Sequence, residues 1–386
     1  EWPDRPQMKK EAMTMQYRQF GRMAEQVSVL GFGAMRMPMA GGEIDEPEAI
    51  RMIRRAIDGG VNYVDTAYFY HDGKSEGLVG KALKDGYREK AYVATKSPIV
   101  LHKCPEDFDR CLETQLERLD IGAIDFYLMH ALDRNGWDNV ALPFGLIDKM
   151  EKAKADGKIR HIGFSFHDDF DTFRRIIDSY DGWEFCQIQF NYINTDYQAG
   201  LQGLEYAASK GLGVIVMEPL LGGKLASPVP GVQRVLSEER GPVEWALDFV
   251  WDRPEVSLLL SGMSTMEQVE QNLDYASRAV PGMLTDPQRR MFADAKAAYD
   301  TMALVPCTKC AYCMPCPFGV EIPKVFEAYN RSAVVSPEEA AAAYAAVEGK
   351  ANLCRACGKC ARHCPQHIDI PGRMKEVAAK FAAESK

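Results

Sequence analysis

The stretch EPEAIRMIRRAIDGGVNYVDTA, residues 46–67, decides the fold. Its first part places Ile50, Ile53, Ala56 and Ile57 at helical spacing, with charged residues between them. Gly59 and Gly60 stop that helix. VNYV follows as a short apolar run that ends on a carboxylate, Asp65, and reads as a buried strand. One helix feeding one apolar strand through two glycines is half of a repeating strand–helix unit, in which helices cover a parallel sheet.

The same alternation runs outward in both directions. Upstream, MQYRQFG reads as a short strand, Gly21 as a turn and VSVLGFGAMRMP as a strand ending in glycines. Downstream come KSEGLVGKALKD (helix), AYVATK (strand), PEDFDRCLETQLERLD (helix, with Leu112, Leu116 and Leu119 on one face) and IDFYLMH (strand). FGLIDKMEKAKADGK, IRHIGFS, DDFDTFRRIIDSY, FCQIQF, LQGLEYAASKG, LGVIVMEP, GPVEWALDFVWDR, VSLLLSGM and TMEQVEQNLDYAS continue it, with LLGGKLASPVPG as a long loop. Eight units predict an α/β fold, a closed (β/α)8 TIM barrel over residues 15–302. The competing doubly wound sheet calls for G-x-G-x-x-G after its first strand, and Gly31-Phe32-Gly33-Ala34-Met35-Arg36 lacks the third glycine. DPQRRMFADAKAAYDTM reads as a last helix, hinging to a different kind of sequence.

Composition bounds what the chain does. Its 386 residues suffice for one large domain and a small one, and 46% hydrophobic residues supply a core. A net charge of -9 argues against nucleic acid as a partner. No run of 18 apolar residues is present to span a membrane. Residues 1–14 lack the apolar core of a signal peptide and read as a leader or tag remnant. Residues 303–386 carry 11 Lys+Arg and 8 Asp+Glu, +3 by difference, whereas the remainder carries 35 and 47, which is -12.

Eight of the 11 cysteines stand in that tail. Cys354, Cys357, Cys360 and Cys364 with Pro365 read C-x2-C-x2-C-x3-C-P, a ferredoxin spacing for a [4Fe-4S] cluster. Cys307, Cys310, Cys313 and Cys316 with Pro317 are one residue shorter before the last cysteine. Zinc ribbons and disulfides are the alternatives, and runs of four closed by proline suit a cuboidal cluster better. In two-cluster ferredoxins the fourth cysteine of each run serves the other cluster. That rule groups Cys307, Cys310, Cys313 and Cys364 in one set, and Cys354, Cys357, Cys360 and Cys316 in the other. The alanine-rich spacer reads as helical, so the tail resembles the helical two-cluster domains of succinate dehydrogenase and heterodisulfide reductase type. Cluster spacing implies a reducing compartment or an anaerobic host, and a cytoplasmic location is expected. Cys104, Cys111 and Cys186 are scattered and read as structural.

Barrel enzymes carry their chemistry at the C-terminal ends of strands. Those positions hold Asp65 with Tyr70 beyond it, Lys96 after YVAT and His130 after DFYLM. Taken singly, Asp65 reads as a loop cap, Tyr70 as a pocket aromatic, Lys96 as a solvated end and His130 as a core histidine. Together they can protonate a forming alkoxide. A tyrosine with pKa of about 10 is a weak acid, and a nearby ammonium lowers that pKa. Lys96 supplies the charge, Asp65 holds Lys96, and His130 orients the carbonyl oxygen or assists the proton relay. DTAYFY, VATK and DFYLMH resemble the local motifs of the aldo-keto reductase family, whose tetrad is Asp, Tyr, Lys and His in this order. The whole chain resembles the bacterial branch that carries a C-terminal 4Fe-4S domain.

The resemblance implies a nicotinamide cofactor, NADPH or NADH. Ser165 and Gln187 match the positions that hold its amide, and Phe166 stands where an asparagine is usual. Met217 takes the place of a stacking tyrosine, while Glu218, Pro219, Leu220 and Gly222 correspond to the pyrophosphate loop. Gly33 and Met35 after the first strand, and Ser264 and Asn272 after the eighth, complete the implied contacts. NADPH-preferring relatives carry a lysine and an arginine where Gly262 and Gln268 stand here. Weaker discrimination against NADH, or a preference for it, is expected, with Ser264, Thr265 and the helix N-terminus left to bind phosphate.

The expected activity is interconversion of a carbonyl and an alcohol by hydride transfer. The substrate is a small molecule chosen by the loops NGWDNVALPF, NYINTDYQAG and LASPVPGVQR, with Trp137, Phe144, Tyr192 and Tyr197 either lining the pocket or packing within the loops. A hydride carries two electrons and a cluster one. Barrels of this kind can hold a flavin to link the two, but no flavin fingerprint is present. The clusters therefore read as structural, as a path to a redox partner protein, or as a sensor. A second reading is an electron-transfer or redox-sensing protein whose barrel binds nicotinamide without rapid turnover.

Overall fold

The computed structural model describes residues 14–300, 304–333 and 337–383. Most of the leader, residues 1–13, and the expected junction at 302–303 lie outside the described residues. Two compact units divide the chain. The first runs to Phe190 and adds Asp196–Pro219 and Val250–Met283; the second gathers Asn191–Thr195, Leu220–Phe249 and the described residues from Leu284 onward.

The first unit is a closed barrel of eight parallel strands in chain order. They are β1 (Leu30–Gly33), β2 (Tyr63–Asp65), β3 (Tyr92–Ser97), β4 (Ile124–Leu132), β5 (Ile159–Phe166), β6 (Phe185–Gln189), β7 (Gly213–Met217) and β8 (Leu258–Ser261). Closure excludes the doubly wound alternative. The register sets Gly33 opposite Asp65, Lys96 opposite Leu128 and Ser165 opposite Gln187, so the strand ends that carry polar groups share one rim.

Helix α1 (Glu46–Asp58) follows the quoted stretch closely. Asp45 caps it by accepting from the Glu48 amide, and Pro47 sits in the first turn, where no donor is lost. Its buried face is Ala49, Met52, Ile53, Ala56 and Ile57; Ile50, expected there, is only half-buried. On α3 (Glu106–Leu119) the buried face is Phe108, Leu112, Gln115 and Leu119, with Leu116 half-buried. A glutamine at the centre of an apolar face requires polar partners, which are described below.

The other end of the barrel is plugged. Strands Tyr17–Gln19 and Gln26–Ser28 pair as an antiparallel hairpin. Phe20 at its turn is fully buried against Tyr63, Phe126 and Phe185, with ring centroids 6.1, 5.0 and 5.6 Å away. A Cβ on Gly213 would come within 2.1 Å of the Phe20 ring, so glycine is required there. The run expected as one strand from Val27 to Pro38 splits into hairpin and barrel strands.

The second unit has an aromatic cluster and a cysteine-bearing half. Tyr192, Trp245 and Phe249 surround Phe292 on the helix Asp286–Asp300, at 5.2, 5.9 and 4.9 Å between ring centroids. Tyr192 is therefore core, as is Trp137 in the first unit, which packs on Trp183 at 6.3 Å. The loop expected over residues 220–231 contains the turn Leu221–Ala226 and the start of a short helix, Pro230–Val235. The spacer between the cysteine runs forms helices Ile322–Arg331 and Pro337–Ala345. Val325, Phe326, Val377 and Phe381 form a buried core with six of the eight tail cysteines packed against it.

Candidate active site and cysteine sets

Asp65 ends β2, and Lys96 is the penultimate residue of β3. Their neighbouring strands bring the Lys96 ammonium nitrogen to 2.6 Å from Asp65 Oδ1, with both side chains buried. The ammonium also donates to the Thr66 carbonyl at 2.8 Å. Burial pushes the Asp65 carboxyl up and the Lys96 ammonium down, and the mutual attraction of the pair opposes both shifts. The pair is held inside the barrel, away from competing water.

Tyr70 opens a tight turn, Tyr70–Gly73, in which His71 and Asp72 take left-handed backbone conformations. That turn returns the chain over the strand ends, and Tyr70 is nine-tenths buried. Lys96 Nζ lies 5.2 Å from the centroid of the Tyr70 ring. His130 meets Tyr70 edge-on at 6.1 Å between ring centroids and stacks on Phe69 at 4.8 Å. The β4–β5 register shifts between Met129 and Leu132, and Ala131 has a φ of 55°; such a bulge re-aims a side chain at a barrel rim. Burial, then the Lys96 charge, then His167 hold the His130 imidazole well below its usual pKa, so it is neutral. The structure thus brings Asp65, Tyr70, Lys96 and His130 together.

Behind them lies a polar layer that the strand-end reading missed. Glu76 accepts from Thr95 and Gln115, both at 2.6 Å, and pairs with Arg118 at 3.1 Å. Gln115 also donates to the Lys96 carbonyl at 3.1 Å and accepts from the Tyr127 hydroxyl at 2.7 Å. Arg118 donates to the Tyr68 carbonyl at 2.9 Å. The network ties the backbone of Lys96 to the chain leading into Tyr70. The signal in the sequence was polar Gln115 between Leu112 and Leu119. A second missed pair is Ser97 Oγ and His102 Nε2, 2.8 Å apart beside Lys96.

Of the residues implied for the nicotinamide, Gly33, Ser165, Gln187 and Met217 belong to barrel strands of the first unit. Gln187 Nε2 reaches the half-buried Met217 sulfur at 3.5 Å, whereas its Oε1 is buried with no hydrogen-bond partner among the described residues. An orphaned buried carbonyl oxygen is a costly acceptor unless a ligand donor meets it, and a carboxamide is such a donor. Ser165 Oγ accepts from the Ala131 amide at 2.7 Å. Phe166 is fully buried against Phe173 at 5.0 Å, so it belongs to the core and supplies no amide contact. Gly33 packs against the Ser261 carbonyl, where a Cβ would stand 3.3 Å away, and Met35 is half-buried. Asn272 donates to Ser261 Oγ at 3.0 Å, and Ser264 donates through its amide to Gln268 Oε1 at 2.7 Å. The stem of Arg36 lies over Gly262, 3.1 Å from a built Cβ. Glu218 has a φ of 57°, and Pro219 ends the first unit's segment. Leu220 and Gly222 fall in the second unit.

In the tail, Cys307, Cys310 and Cys364 all act electrostatically on Cys313. Burial first, then those neighbours, push the Cys313 thiol up to about 12. Cys316, Cys354, Cys357 and Cys360 line one small cavity, and Cys316 and Cys354 act on Cys360. Left-handed residues Lys309, Ala311 and Ala356 turn the chain between successive cysteines. Converging thiols repel one another as thiolates, and a cationic iron–sulfur core removes that penalty, so the donor sets fit such a group. Among the described residues no three His, Cys, Asp or Glu side chains are grouped to hold a single metal ion. Among the same residues no helix is long and apolar enough to cross a membrane.

Comparison with known proteins agrees with this architecture. Residues 29–286 match the family model described as the Aldo/keto reductase family, and residues 306–368 match the 4Fe-4S dicluster domain. The chain is 28% identical over 286 residues to L-galactose dehydrogenase of Arabidopsis thaliana, covering 67% of this chain and 87% of that one. It is 31% identical over 244 residues to an uncharacterized oxidoreductase of Bacillus subtilis, covering 55% and 68%. An aldo-keto reductase from Bacillus halodurans, in its holo form, aligns with a TM-score of 0.62 at 26% identity, covering 73% of this chain and 96% of that one. A closed barrel with this rim, matched by the family model over most of its length, makes the chain a member of the aldo/keto reductase family with a C-terminal 4Fe-4S dicluster domain.

Proposed function

We propose that the protein is an NAD(P)H-dependent oxidoreductase that interconverts a small carbonyl compound and its alcohol, with Tyr70 as the acid and base. The observation that carries this reading is the buried Asp65–Lys96 pair, whose ammonium stands 5.2 Å from the Tyr70 ring centroid. Reduced nicotinamide, when bound, supplies the hydride taken by the carbonyl carbon. Tyr70 gives its hydroxyl proton to the carbonyl oxygen and takes it back in the reverse direction. Lys96 stabilises the phenolate left behind, lowering the pKa of a hydroxyl that would otherwise be too weak an acid. Asp65 fixes the ammonium and offsets its charge. Neutral His130 can donate a hydrogen bond to the carbonyl oxygen without adding a second positive charge beside Lys96.

Ser165, Gln187 and Met217 would hold the nicotinamide, with Gly33, Met35, Glu218 and Pro219 along it. Gly262, Ser264, Gln268 and Asn272 would flank the adenosine end. The absence of a lysine at Gly262 and of an arginine at Gln268 favours acceptance of NADH beside NADPH. Cys307, Cys310, Cys313 and Cys364 would hold one [4Fe-4S] cluster, and Cys316, Cys354, Cys357 and Cys360 the other.

The test is anaerobic assay against a panel of aldehydes and ketones with nicotinamide deuterated at the transferred position. Deuterium on the carbinol carbon of the product is expected. Consumption of nicotinamide with no label in any alcohol would contradict the reading and favour the electron-transfer alternative.

A further inference from the structure

The cysteine-bearing half of the second unit brings its second cysteine run to the surface. Cys357 is the one exposed cysteine among the eleven. Cys316, Cys354 and Cys360 lie deeper and pack on the core that holds Val325, Phe326 and Val377. Phe318, Arg355 and Gly358 line the same small cavity as Cys316, Cys354, Cys357 and Cys360. Left-handed backbone at Ala356 and Gly358, with φ of 52° and 72°, brackets Cys357 and bends the chain sharply there.

The surroundings of Cys357 are apolar and basic. Phe318 is 43% exposed and Leu353 39%, each within two residues of a cysteine of this set. Exposed apolar side chains set among charges mark a surface that a partner covers. Residues 353–364 carry Arg355, Lys359 and Arg362, all exposed, and no carboxylate. None of the three forms an ion pair among the described residues, whereas Lys309 pairs with Glu327 at 2.6 Å, Lys324 with Glu321, and Arg373 with Glu376 at 2.7 Å. Asp369, the next acid along the chain, accepts instead from the Gly372 amide at 3.1 Å. In a chain of net charge -9, three unmatched cations on one run are a local reversal of sign. Cations that served only to offset the charge of bound iron and sulfur would need no exposed phenyl or leucyl side chain among them.

We propose that Arg355, Lys359 and Arg362, with Phe318 and Leu353, form a docking surface over Cys357 for a small acidic protein that carries single electrons. The inference rests on the reading above, in which Cys316, Cys354, Cys357 and Cys360 hold a [4Fe-4S] cluster. The reduced carrier gives one electron to that cluster and is itself oxidised by one electron; no bond or proton is exchanged. The three cations steer the acidic face of the carrier to the exposed ligand, and the two apolar side chains pack against it. Contacts of this kind are small, so association is weak and falls as salt rises.

The experiment uses the full chain purified anaerobically, with iron content and the resonance of the dithionite-reduced clusters recorded first. The probe is an acidic [2Fe-2S] ferredoxin. Calorimetry reads its association with the protein, and stopped flow reads electron transfer from its reduced form. Affinity should fall by about tenfold or more between about 50 and about 300 mM salt. Arg355→Glu, Lys359→Glu and Arg362→Glu should each weaken binding and slow electron transfer by about fivefold or more, with iron content and resonance unchanged. Phe318→Ser should weaken binding and leave its salt dependence as it was. If a charge reversal disturbs the cluster, the triple variant Arg355→Gln, Lys359→Gln, Arg362→Gln decides, with an expected loss of about tenfold. Binding unchanged in the charge variants, or no association with the clusters intact, overturns this inference alone. A Cys357→Ser variant that keeps all of its iron overturns it together with the ligand reading.

Discussion

The Lys96 ammonium nitrogen stands 2.6 Å from Asp65 Oδ1 inside the barrel, with neither side chain open to solvent. A pair so placed is stable only while both members are present. Lys96→Met should strand the Asp65 carboxylate and destabilise the protein by about 3–5 kcal/mol. It should also lower kcat by about 10²–10⁴ through loss of proton transfer at Tyr70. Adding Asp65→Asn should recover part of the stability and none of the activity. Urea unfolding and steady-state rates on the two variants check this.

Burial keeps His130 neutral and pushes His102 down to about 4. Both depressed imidazoles stabilise the fold fully above the unfolded value of about 6.5. That contribution is lost as pH falls below 6.5 toward the folded values, because the unfolded chain takes up the protons first. Stability should therefore decline from pH 6.5 to pH 5. His102→Gln should reduce the slope in that window by about one proton, which chemical unfolding at a series of pH values would register.

Glu76 joins Thr95, Gln115 and Arg118 beneath the rim. Glu76→Ala leaves those donors without their acceptor and should cost about 3 kcal/mol. Because Gln115 also holds the Lys96 carbonyl, kcat should fall with a smaller change in KM. Glu76→Gln keeps one acceptor and should recover more stability than activity. A loss of stability with kcat untouched would separate the network from the catalytic groups.

Cys364 acts on Cys313 of the first run, and Cys316 lines a cavity with Cys354, Cys357 and Cys360, so the proposed ligand sets cross between the runs. Cys364→Ser should leave about four irons per chain instead of about eight, with the surviving cluster on the Cys354 set. Cys316→Ser should do the converse. Iron analysis with Mössbauer spectra would distinguish this from pairing within each run, in which Cys364→Ser would remove the cluster of the second run.

The barrel could be read from the sequence because parallel strands buried on both faces leave unbroken apolar runs, and helices between them leave a different period. Strand ends follow from that alternation, which is why Asp65, Lys96 and His130 stood out. Gln115 did not, since its partners Glu76 and Tyr127 come from other elements and meet it only after closure. The sequence left Trp137 and Tyr192 open between pocket lining and loop packing, because loop sequence does not say which way a ring turns; packing on Trp183 and Phe292 makes both core.

The most direct test is the Tyr70→Phe variant in a single-turnover reduction followed by stopped flow. The account predicts dinucleotide affinity within about twofold of the unaltered protein and a hydride-transfer rate reduced by at least about 10². A Tyr70→Phe variant that reduces the carbonyl at the unaltered rate would contradict it.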